Sequence, residues 1–548
     1  MEQFHFVKEF HNQTTIHPVG VVALALAVLA VLLVPRNYAL VPIIVIACLI
    51  APAQRVVIMG LDFSFIRIVT LAAWLRIFVH GEYVRFHFTT IDKLFIAWVS
   101  VTTGTALLLY PSVASLTYQL GVAFDAITTF FIMRLMVRDR ADLVGLARGA
   151  ALLALPVAGA MAHERLSGAN FFSFFGGVPE ETLERFGRFR AQAAFAHPIV
   201  AGVFWASLVP LMLVGIRRSA EDAVIGTLGV VAGCVIVWCC SSSTPVLLIA
   251  FVAMAYALFP IRRVVPWLRW GVAATLVMLH IAMFPPVWHL FARINFFPGS
   301  TGWWRYLIID KFVNHWDEWI FVGTTTSERW IDGGMFVDVT NQYVLEGING
   351  GIVKLALFIA IIVFGFKAIG RVIRHEESRR SSVRATMASR TIVTTNAPSD
   401  DATQDASAEP SANPSVDPSP DRLANPVMHP RRRRAGDELE PTWMVWCIGT
   451  SLAVHAAAYF ATAYFGQLVL IQYMSLGIAA SMPAVFGVGL SRRRRTVQAV
   501  RGVNEAASEV AASGTNEESR ASRPEWCRGE GGGGPEGDGF GHGVFRPV

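Results

Sequence analysis

The amino-acid sequence predicts an all-α fold, a polytopic membrane bundle of twelve or thirteen transmembrane helices. Of the 548 residues, 54% are hydrophobic and only 16% are Asp, Glu, Lys or Arg, whereas a soluble domain carries roughly 25% charged residues. Apolar runs of roughly twenty residues recur along the chain, and each is long enough to cross a hydrocarbon core of about 30 Å. These two observations exclude an ordinary cytosolic enzyme.

The predicted spans follow one another along most of the chain. Backbone amides find no partner in lipid and no alternating barrel pattern occurs, so the spans should be helices. The second and third are short and are joined by Gln54–Asp62. The first lacks a basic flank and an A-x-A cleavage site, so we expect a retained anchor. The spans lie near residues 18–34, 38–53, 63–79, 92–110, 116–136, 143–162, 195–216, 223–240, 244–261, 270–288, 350–370, 443–462 and 466–490.

The arginine clusters predict the orientation of the bundle. When the spans are alternated, most arginines fall on one side, which the positive-inside rule makes cytoplasmic. The C-terminus is then cytoplasmic, and thirteen spans place the N-terminus outside. The net charge of +6 forms no basic stripe, so a nucleic-acid partner is not expected. The arginines concerned are Arg134, Arg138, Arg140, Arg148, Arg217, Arg218, Arg262, Arg263, Arg269, Arg431–Arg434 and Arg492–Arg495.

This orientation divides the chain into four parts. A transmembrane core, 1–370, has outer loops near 163–194 and 289–349, and two closing helices lie within 442–490. Segments 371–441 and 491–548 are rich in small, polar, proline or glycine residues and are predicted to be disordered and cytoplasmic. Five tryptophans of the larger outer loop suit a membrane-interfacial segment: Trp303, Trp304, Trp316, Trp319 and Trp330.

The first concentration of ionisable residues, Glu184–Pro198, comes directly before the seventh span. Its arginines include Arg188 and Arg190. Several guanidiniums at a water–lipid boundary suit a phosphate or pyrophosphate, because arginine offers forked, permanently charged donors. Arginines that snorkel at a helix end are the alternative. His197 is expected to cap the helix or to pack against it.

The second concentration runs through the large outer loop, from Arg305 to Gly350–Gly351. The two glycines could simply let backbone approach backbone at a helix entry. No glycine-rich nucleotide fingerprint, Walker motif, HExxH or paired acidic motif occurs, and no CxxC, so we expect neither a cofactor nor a metal. The ionisable residues between these points are Asp310, Lys311, His315, Asp317, Glu318, Arg329, Asp338 and Glu346.

The two clusters, in this order and with these spans between them, resemble the O-antigen ligase and O-antigen/exopolysaccharide polymerase superfamily. Residues 190–199 are similar to the family pattern R-x-x-G-x-F-x-H-P-N, with Ala193 and Ile199 in place of Gly and Asn. Ser241–Pro245 looks like a family serine-rich stretch that lacks its arginine. Residues 340–344 look like the closing H-N-x-Y-L pattern of the large loop, with Thr340 in place of His. The resemblance covers roughly 20–370 and the closing spans.

The resemblance implies a glycosyltransferase of the bacterial inner membrane that acts at the periplasmic face. Its donor would be an undecaprenyl-pyrophosphate-linked glycan and its acceptor a sugar hydroxyl on a glycan or lipid. Membrane lipids and other polysaccharide-assembly proteins are the further partners implied. Arg190 and Arg305 would hold the pyrophosphate, assisted by Arg188, so that charge growing on the leaving group is stabilised.

The departure at Thr340 leaves the acceptor base open, because threonine cannot act as a base near neutral pH. Asp338, Glu346 or His315 could substitute, or leaving-group stabilisation could carry most of the catalysis, or ligase activity could be lost. Asn341 and Tyr343 would orient sugar or acceptor. The departure favours an exopolysaccharide-type polymerase over a lipopolysaccharide ligase.

A transporter or lipid-glycan flippase is the alternative from another class. Such proteins often show internal repeats and ionisable residues near the bilayer midplane. No repeat relates the two halves of this chain. Arg67, Asp125 and Lys354 nevertheless fall in or at the ends of apolar spans and favour this alternative.

Overall fold

A computed structural model describes residues 13–83, 86–293, 302–331, 339–395 and 435–488, which belong to one compact unit ending at Val488. The described chain is mostly helical, with two short antiparallel hairpins, β1 (Arg55–Ile58) with β2 (Leu61–Ser64), and β3 (Glu184–Arg185) with β4 (Arg188–Phe189). The α-helices are α1 Pro18–Leu33, α2 Val41–Leu49, α3 Phe65–Val79, α4 Thr90–Leu109, α5 Val113–Met136, α6 Arg140–Ser167, α7 Pro198–Met212, α8 Ala220–Cys239, α9 Ser243–Ala257, α10 Val265–Ala282, α11 Leu290–Arg293, α12 Gly302–Asn314, α13 Trp316–Trp319, α14 Gln342–Ile348, α15 Gly351–Thr395, α16 Ala435–Ala458 and α17 Gln467–Val485.

A helix lies in each predicted span, and the lengths and composition of several indicate a multi-pass membrane protein. Within the described residues, seven helices are long and apolar enough to cross a membrane: α4, α5, α6, α8, α10, the first part of α15, and α17. The apolar helices α1, α2, α7 and α9 are shorter. The short second and third spans are joined by the β1–β2 hairpin.

Local sequence signals set where the helices of the core begin. Thr89 and Asp92 form a reciprocal capping box at the start of α4, and Asp139 and Asp142 form another at the start of α6. Each box satisfies backbone N–H groups that a helix start leaves without partners. Helix α7 begins with Pro198, whose missing N–H costs nothing at that position.

Helix α8 packs closely against its neighbours because glycines line its contact face. A side chain at Gly229 would meet Ala151 of α6 at 2.5 Å, and one at Gly233 would meet Val209 of α7 at 2.9 Å. Small residues at such positions let helix backbones approach in a membrane environment. The contact fixes α7, and therefore the loop that precedes it, against α6 and α8.

The arginine-rich end of the bundle contains the α5–α6 connection, the α7–α8 connection and the middle of α15. Acidic residues neutralise its arginines, and Arg134 binds Asp92 at 2.7 Å with both groups buried. Buried charges in proteins are normally paired in this way. The other pairs here are Arg36–Asp142, Arg76–Glu82, Arg148–Asp222 and Arg262–Glu377.

The opposite end, called the loop end below, gathers both outer loops predicted from the sequence. The α16–α17 connection touches each of them: Tyr464 N donates to Gln342 Oε1 at 2.8 Å, and Gln467 Nε2 donates to Ala194 O at 3.1 Å. The predicted loops are therefore neighbours in the folded chain.

The structure changes the expectation for one segment. Helix α15 continues to Thr395, so the segment predicted to be disordered from 371 begins as helix; its residues 396–434 and the tail from 491 lie outside the described chain.

The tryptophans of the larger outer loop differ in burial. Trp319 and Trp330 are buried in a small core of that loop with Ile308 and Phe312, whereas Trp303 and Trp316 are exposed.

Candidate functional site

The loop between β4 and α7 carries Arg190, which the structure buries. The side chain is 7% exposed, and within the described residues its Nε has no hydrogen-bond partner. Burial, and then the nearby positive charge of Arg185, lower the pKa of Arg190. The Arg190 guanidinium is therefore largely shielded from solvent and forms no ion pair with the described acidic residues.

Three buried polar residues hold this loop in place. The carboxylate of Glu164, at the end of α6, accepts from the backbone N–H of Gln192 at 2.9 Å and of Ala193 at 2.8 Å. Asn170 donates to the Ala193 carbonyl at 3.0 Å, and Gln467 donates to the next carbonyl. No sequence signal marks these three residues, because their partners are backbone groups distant along the chain.

Ala193 has a backbone φ of 52°. Such left-handed values favour glycine, because a Cβ crowds the adjoining carbonyl. The family pattern that this loop resembles has glycine at the same position. The departure noted in the sequence therefore falls where the backbone has a conformation that favours glycine.

The loop of Arg190 runs alongside the serine turn, Ser241–Thr244, that precedes and opens α9. Ala191 N donates to Cys239 O at 3.1 Å, just before this turn. From the other side, Arg305 Nη2 of α12 donates to Thr244 Oγ1 at 3.0 Å. The structure thus brings the loop that carries Arg190 and the side chain of Arg305 to one turn, although the two arginines are far apart in sequence.

Arg305 resembles Arg190 in its surroundings. It is partly buried, its Nε is enclosed without a hydrogen-bond partner among the described atoms, and burial lowers its pKa. Helix α9 begins beside it, and the side chain of the N-cap residue Ser242 makes no capping hydrogen bond. Open N–H groups at a helix start carry partial positive charge, which adds to the charge of the two arginines.

A third arginine, Arg165 near the end of α6, reaches the same turn. Its Nη1 donates to Phe189 O at 2.9 Å and to Ser241 Oγ, and its guanidinium carbon lies 4.2 Å from the centre of the Trp238 ring. No sequence signal marks Arg165, because it lies at a helix end, apart from both predicted clusters. The described structure gives neither Arg165, Arg190 nor Arg305 an acidic partner.

Arg188 and His197 do not contact the serine turn in the described structure. Arg188 lies exposed in the β3–β4 hairpin, opposite Arg185. His197 is the N-cap of α7, and its Nδ1 accepts from Ile199 N at 3.1 Å. Burial, followed by repulsion from Arg190 and Arg185, lowers the pKa of His197 to about 4. The neutral imidazole supports the helix start, as expected from the sequence.

The pKa of His197 predicts a pH-dependent contribution to stability. Since the pKa falls from 6.5 to about 4 on folding, this contribution is complete above pH 6.5 and is lost as the pH drops towards 4. One pKa unit corresponds to about 1.4 kcal/mol, so the loss is at most about 3.5 kcal/mol. His197→Asn keeps a capping oxygen but cannot titrate. Thermal unfolding in detergent between pH 7 and pH 4 should show a smaller decline for this variant; an equal decline would contradict the prediction.

The second predicted cluster forms structural contacts of its own. Asn341 caps α14 by accepting from Val344 N at 3.2 Å, and the Tyr343 hydroxyl donates to Ala456 O at 3.0 Å. Burial raises the pKa of Tyr343 to about 12. Thr340 is partly buried beside Asn341. Asp338 lies outside the described residues.

Glu346 is 2% exposed, and both of its carboxylate oxygens have partners. Oε2 accepts from Trp98 Nε1 at 2.9 Å and lies 3.5 Å from Lys354 Nζ, while Oε1 accepts from Gln342 at 2.7 Å. His315 stacks on Trp330, and its Nδ1 lies 2.8 Å from Lys311 O. Among the described residues, no hydrogen bond or ion pair joins this cluster to Arg190 or Arg305.

The Glu346–Lys354 contact predicts a large stability effect. Glu346→Gln should leave Lys354, which is 6% exposed, without a counter-charge, and breaking a buried pair typically costs about 3–5 kcal/mol. The double variant with Lys354→Met should recover most of the lost thermal stability in detergent. A single variant as stable as the wild type would show that the pair contributes little.

The loop end therefore presents one cationic site, the serine turn with its three arginines, and a separate buried network around Glu346. The described residues contain no group of three or more His, Cys, Asp or Glu side chains placed to hold a metal ion. The comparisons assign no family: no protein-family model matches the chain, and a search of curated proteins finds no match.

Proposed function

We propose that this chain is a glycosyltransferase of the bacterial inner membrane, of the O-antigen ligase or polymerase type. It would transfer an undecaprenyl-pyrophosphate-linked glycan to a sugar hydroxyl during surface polysaccharide assembly. In this proposal the loop end faces the periplasm and the C-terminus is cytoplasmic. The observation that carries it is that Arg305 and the loop of Arg190 meet at one turn, with no acidic partner for either arginine among the described residues.

The burial of these arginines supports an anionic substrate. Removing a charge from water costs several kcal/mol unless an opposite charge compensates it. At the arginine-rich end this chain supplies that compensation, as in the Arg134–Asp92 pair. At the serine turn the described residues place no carboxylate in an ion pair with the arginines, and the nearby Glu164 is held by the backbone N–H groups of residues 192 and 193, so a bound anion is the natural counter-charge. A pyrophosphate suits forked guanidinium donors and the open N–H groups of α9.

The transfer step then depends on stabilising the leaving group. The acceptor oxygen forms a bond to the anomeric carbon, and the bond from that carbon to the phosphate oxygen breaks. The electron pair of the broken bond stays on the departing diphosphate, and the hydroxyl proton leaves to solvent. Arg190 and Arg305 would face the charge that grows on the diphosphate.

The acceptor base has no strong candidate among the described residues. Both oxygens of Glu346 are occupied by Trp98, Lys354 and Gln342, and His315 is stacked on Trp330. We therefore favour leaving-group stabilisation as the main source of catalysis. The preference for a polymerase over a ligase depends only on Thr340. It is therefore kept as part of the proposal.

The alternative function, a transporter or flippase, depends on ionisable residues in or at the ends of the predicted spans. Arg67 binds Asp125 through two contacts of 2.7 Å, and Lys354 lies 3.5 Å from Glu346. Each of these charges is thus compensated within the bundle. No contact in the described structure specifically favours transport.

The proposal is tested with purified protein in detergent. A synthetic lipid-diphosphate glycan is mixed with an unlabelled acceptor, and the elongated glycan is measured by mass spectrometry. Transfer that depends on the protein supports the proposal, and its absence with every polysaccharide acceptor of the native strain would refute it. Glycan chain-length analysis of a deletion strain separates the two types, because loss of a ligase leaves long lipid-linked polymer.

A further inference from the structure

Arg165 is the cation at the serine turn that the proposed chemistry has not yet used. Its side chain is partly buried, and its hydrogen-bond partners, Phe189 O and Ser241 Oγ, are both uncharged. The Trp238 ring supports the guanidinium from one face at 4.2 Å. Among the described residues it has no carboxylate partner, so its charge is available to a ligand.

The contacts place Arg165 beside the backbone of Arg190. The carbonyl that accepts from Arg165 belongs to Phe189, the residue directly before Arg190. Ser241 donates to the same carbonyl at 3.2 Å. Arg165 therefore joins the loop of Arg190 to the serine turn, while Arg305 binds that turn at Thr244. The guanidiniums of Arg165 and Arg305 thus contact the serine turn directly, and the loop that carries Arg190 lies beside it.

The charge of the reacting group suggests what a third guanidinium does. A glycan-diphosphate-lipid carries one negative charge on each phosphate. When the bond to the sugar breaks, the phosphate that was attached to the sugar gains a further charge. Two cations match the intact donor, and a third matches the charge that appears only as the bond breaks.

Resting on the proposed function, we propose that Arg165 binds the phosphate that leaves the sugar, and that the three arginines together select a lipid diphosphate over a lipid monophosphate. The tether on Trp238 and Ser241 holds the guanidinium at the turn before the donor arrives. Such preorganisation is what makes a charged donor effective in a transition state.

The test compares Arg165→Gln with Arg165→Lys in the purified transfer assay. Glutamine retains donors for Phe189 O and Ser241 Oγ but has no charge, whereas lysine retains the charge. We expect Arg165→Gln to lower kcat about a hundredfold with a much smaller change in KM, and Arg165→Lys to recover part of kcat. Arg218→Ala, an exposed arginine at the opposite end of the bundle, is the control.

A second measurement uses inhibition of transfer by two probes, undecaprenyl diphosphate and undecaprenyl monophosphate. The wild type should be inhibited more strongly by the diphosphate, and Arg165→Gln should lose most of that preference. Wild-type kcat and preference in Arg165→Gln, with Arg190→Ala inactive, would overturn the inference and leave the proposed function standing. Wild-type transfer in both variants would overturn the proposed function as well.

Discussion

Replacing Arg190 with alanine should lower the rate of glycan transfer by about a hundredfold to a thousandfold. Loss of one preorganised donor to a developing charge costs about 2.7–4 kcal/mol in comparable sites. The side chain is buried and has no ion-pair partner among the described residues, so its removal leaves none of those acidic residues without a partner. The purified transfer assay measures the effect directly, and surface glycan of a complemented deletion strain should disappear while the protein level stays unchanged.

The controls for Arg190 separate charge from packing. Arg190→Lys should rescue poorly, because lysine cannot reproduce forked contacts to a diphosphate. Arg263→Ala removes an exposed arginine from the other end of the bundle and should transfer at the wild-type rate. Normal polymer in the Arg190→Ala strain would refute the assignment of the site.

Arg305→Ala should produce a loss of similar size. Its guanidinium reaches the serine turn from α12 and donates to Thr244 at 3.0 Å, so its removal takes away one side of the proposed anion site. Kinetics in the purified assay should show a fall in kcat/KM of about a hundredfold or more. The same strain test should show loss of surface polymer.

A double variant tests whether the two arginines act on one ligand. If Arg190 and Arg305 bind the same diphosphate, the combined loss should be smaller than the sum of the two single losses expressed as free energies. Thr244→Val removes the hydroxyl that Arg305 contacts but no charge, and it should have a far milder effect. Simple additivity would place the arginines at independent sites.

The helical spans could be predicted because their signal is local. A long apolar run identifies a helix wherever the chain leads afterwards, whereas Arg190 and Arg305 were selected from charged clusters in the loops, and their proposed role stays a prediction. The extension of α15 to Thr395 was missed, because the composition beyond residue 370 resembles a polar linker. A helix that leaves the apolar region gives no hydrophobic signal at its end.

The contacts that build the site were not predictable in the same way. Glu164 looks like an ordinary charged residue at the end of a helix, yet it holds the backbone of residues 192 and 193. Its role depends on how α6 meets the loop before α7. Asn341 did carry a readable signal, since asparagine directly before a helix commonly caps it, and the structure places it there. Glu346 was a candidate base because it is an acidic residue close to Thr340 in sequence, and the sequence does not show that Lys354 on the next helix lies 3.5 Å from it.

The ion pairs at the arginine-rich end also bear on how the protein is made. Unpaired arginines orient helices as they enter a membrane, but Arg134 and Arg148 end up bound to Asp92 and Asp222. In the proposed orientation, each arginine therefore acts first as a topology signal and later as a structural contact. Asp92→Asn would leave the first role intact and remove the second, so such a chain would insert correctly and then fail to pack. Loss of one carboxylate would thus affect folding without affecting membrane insertion.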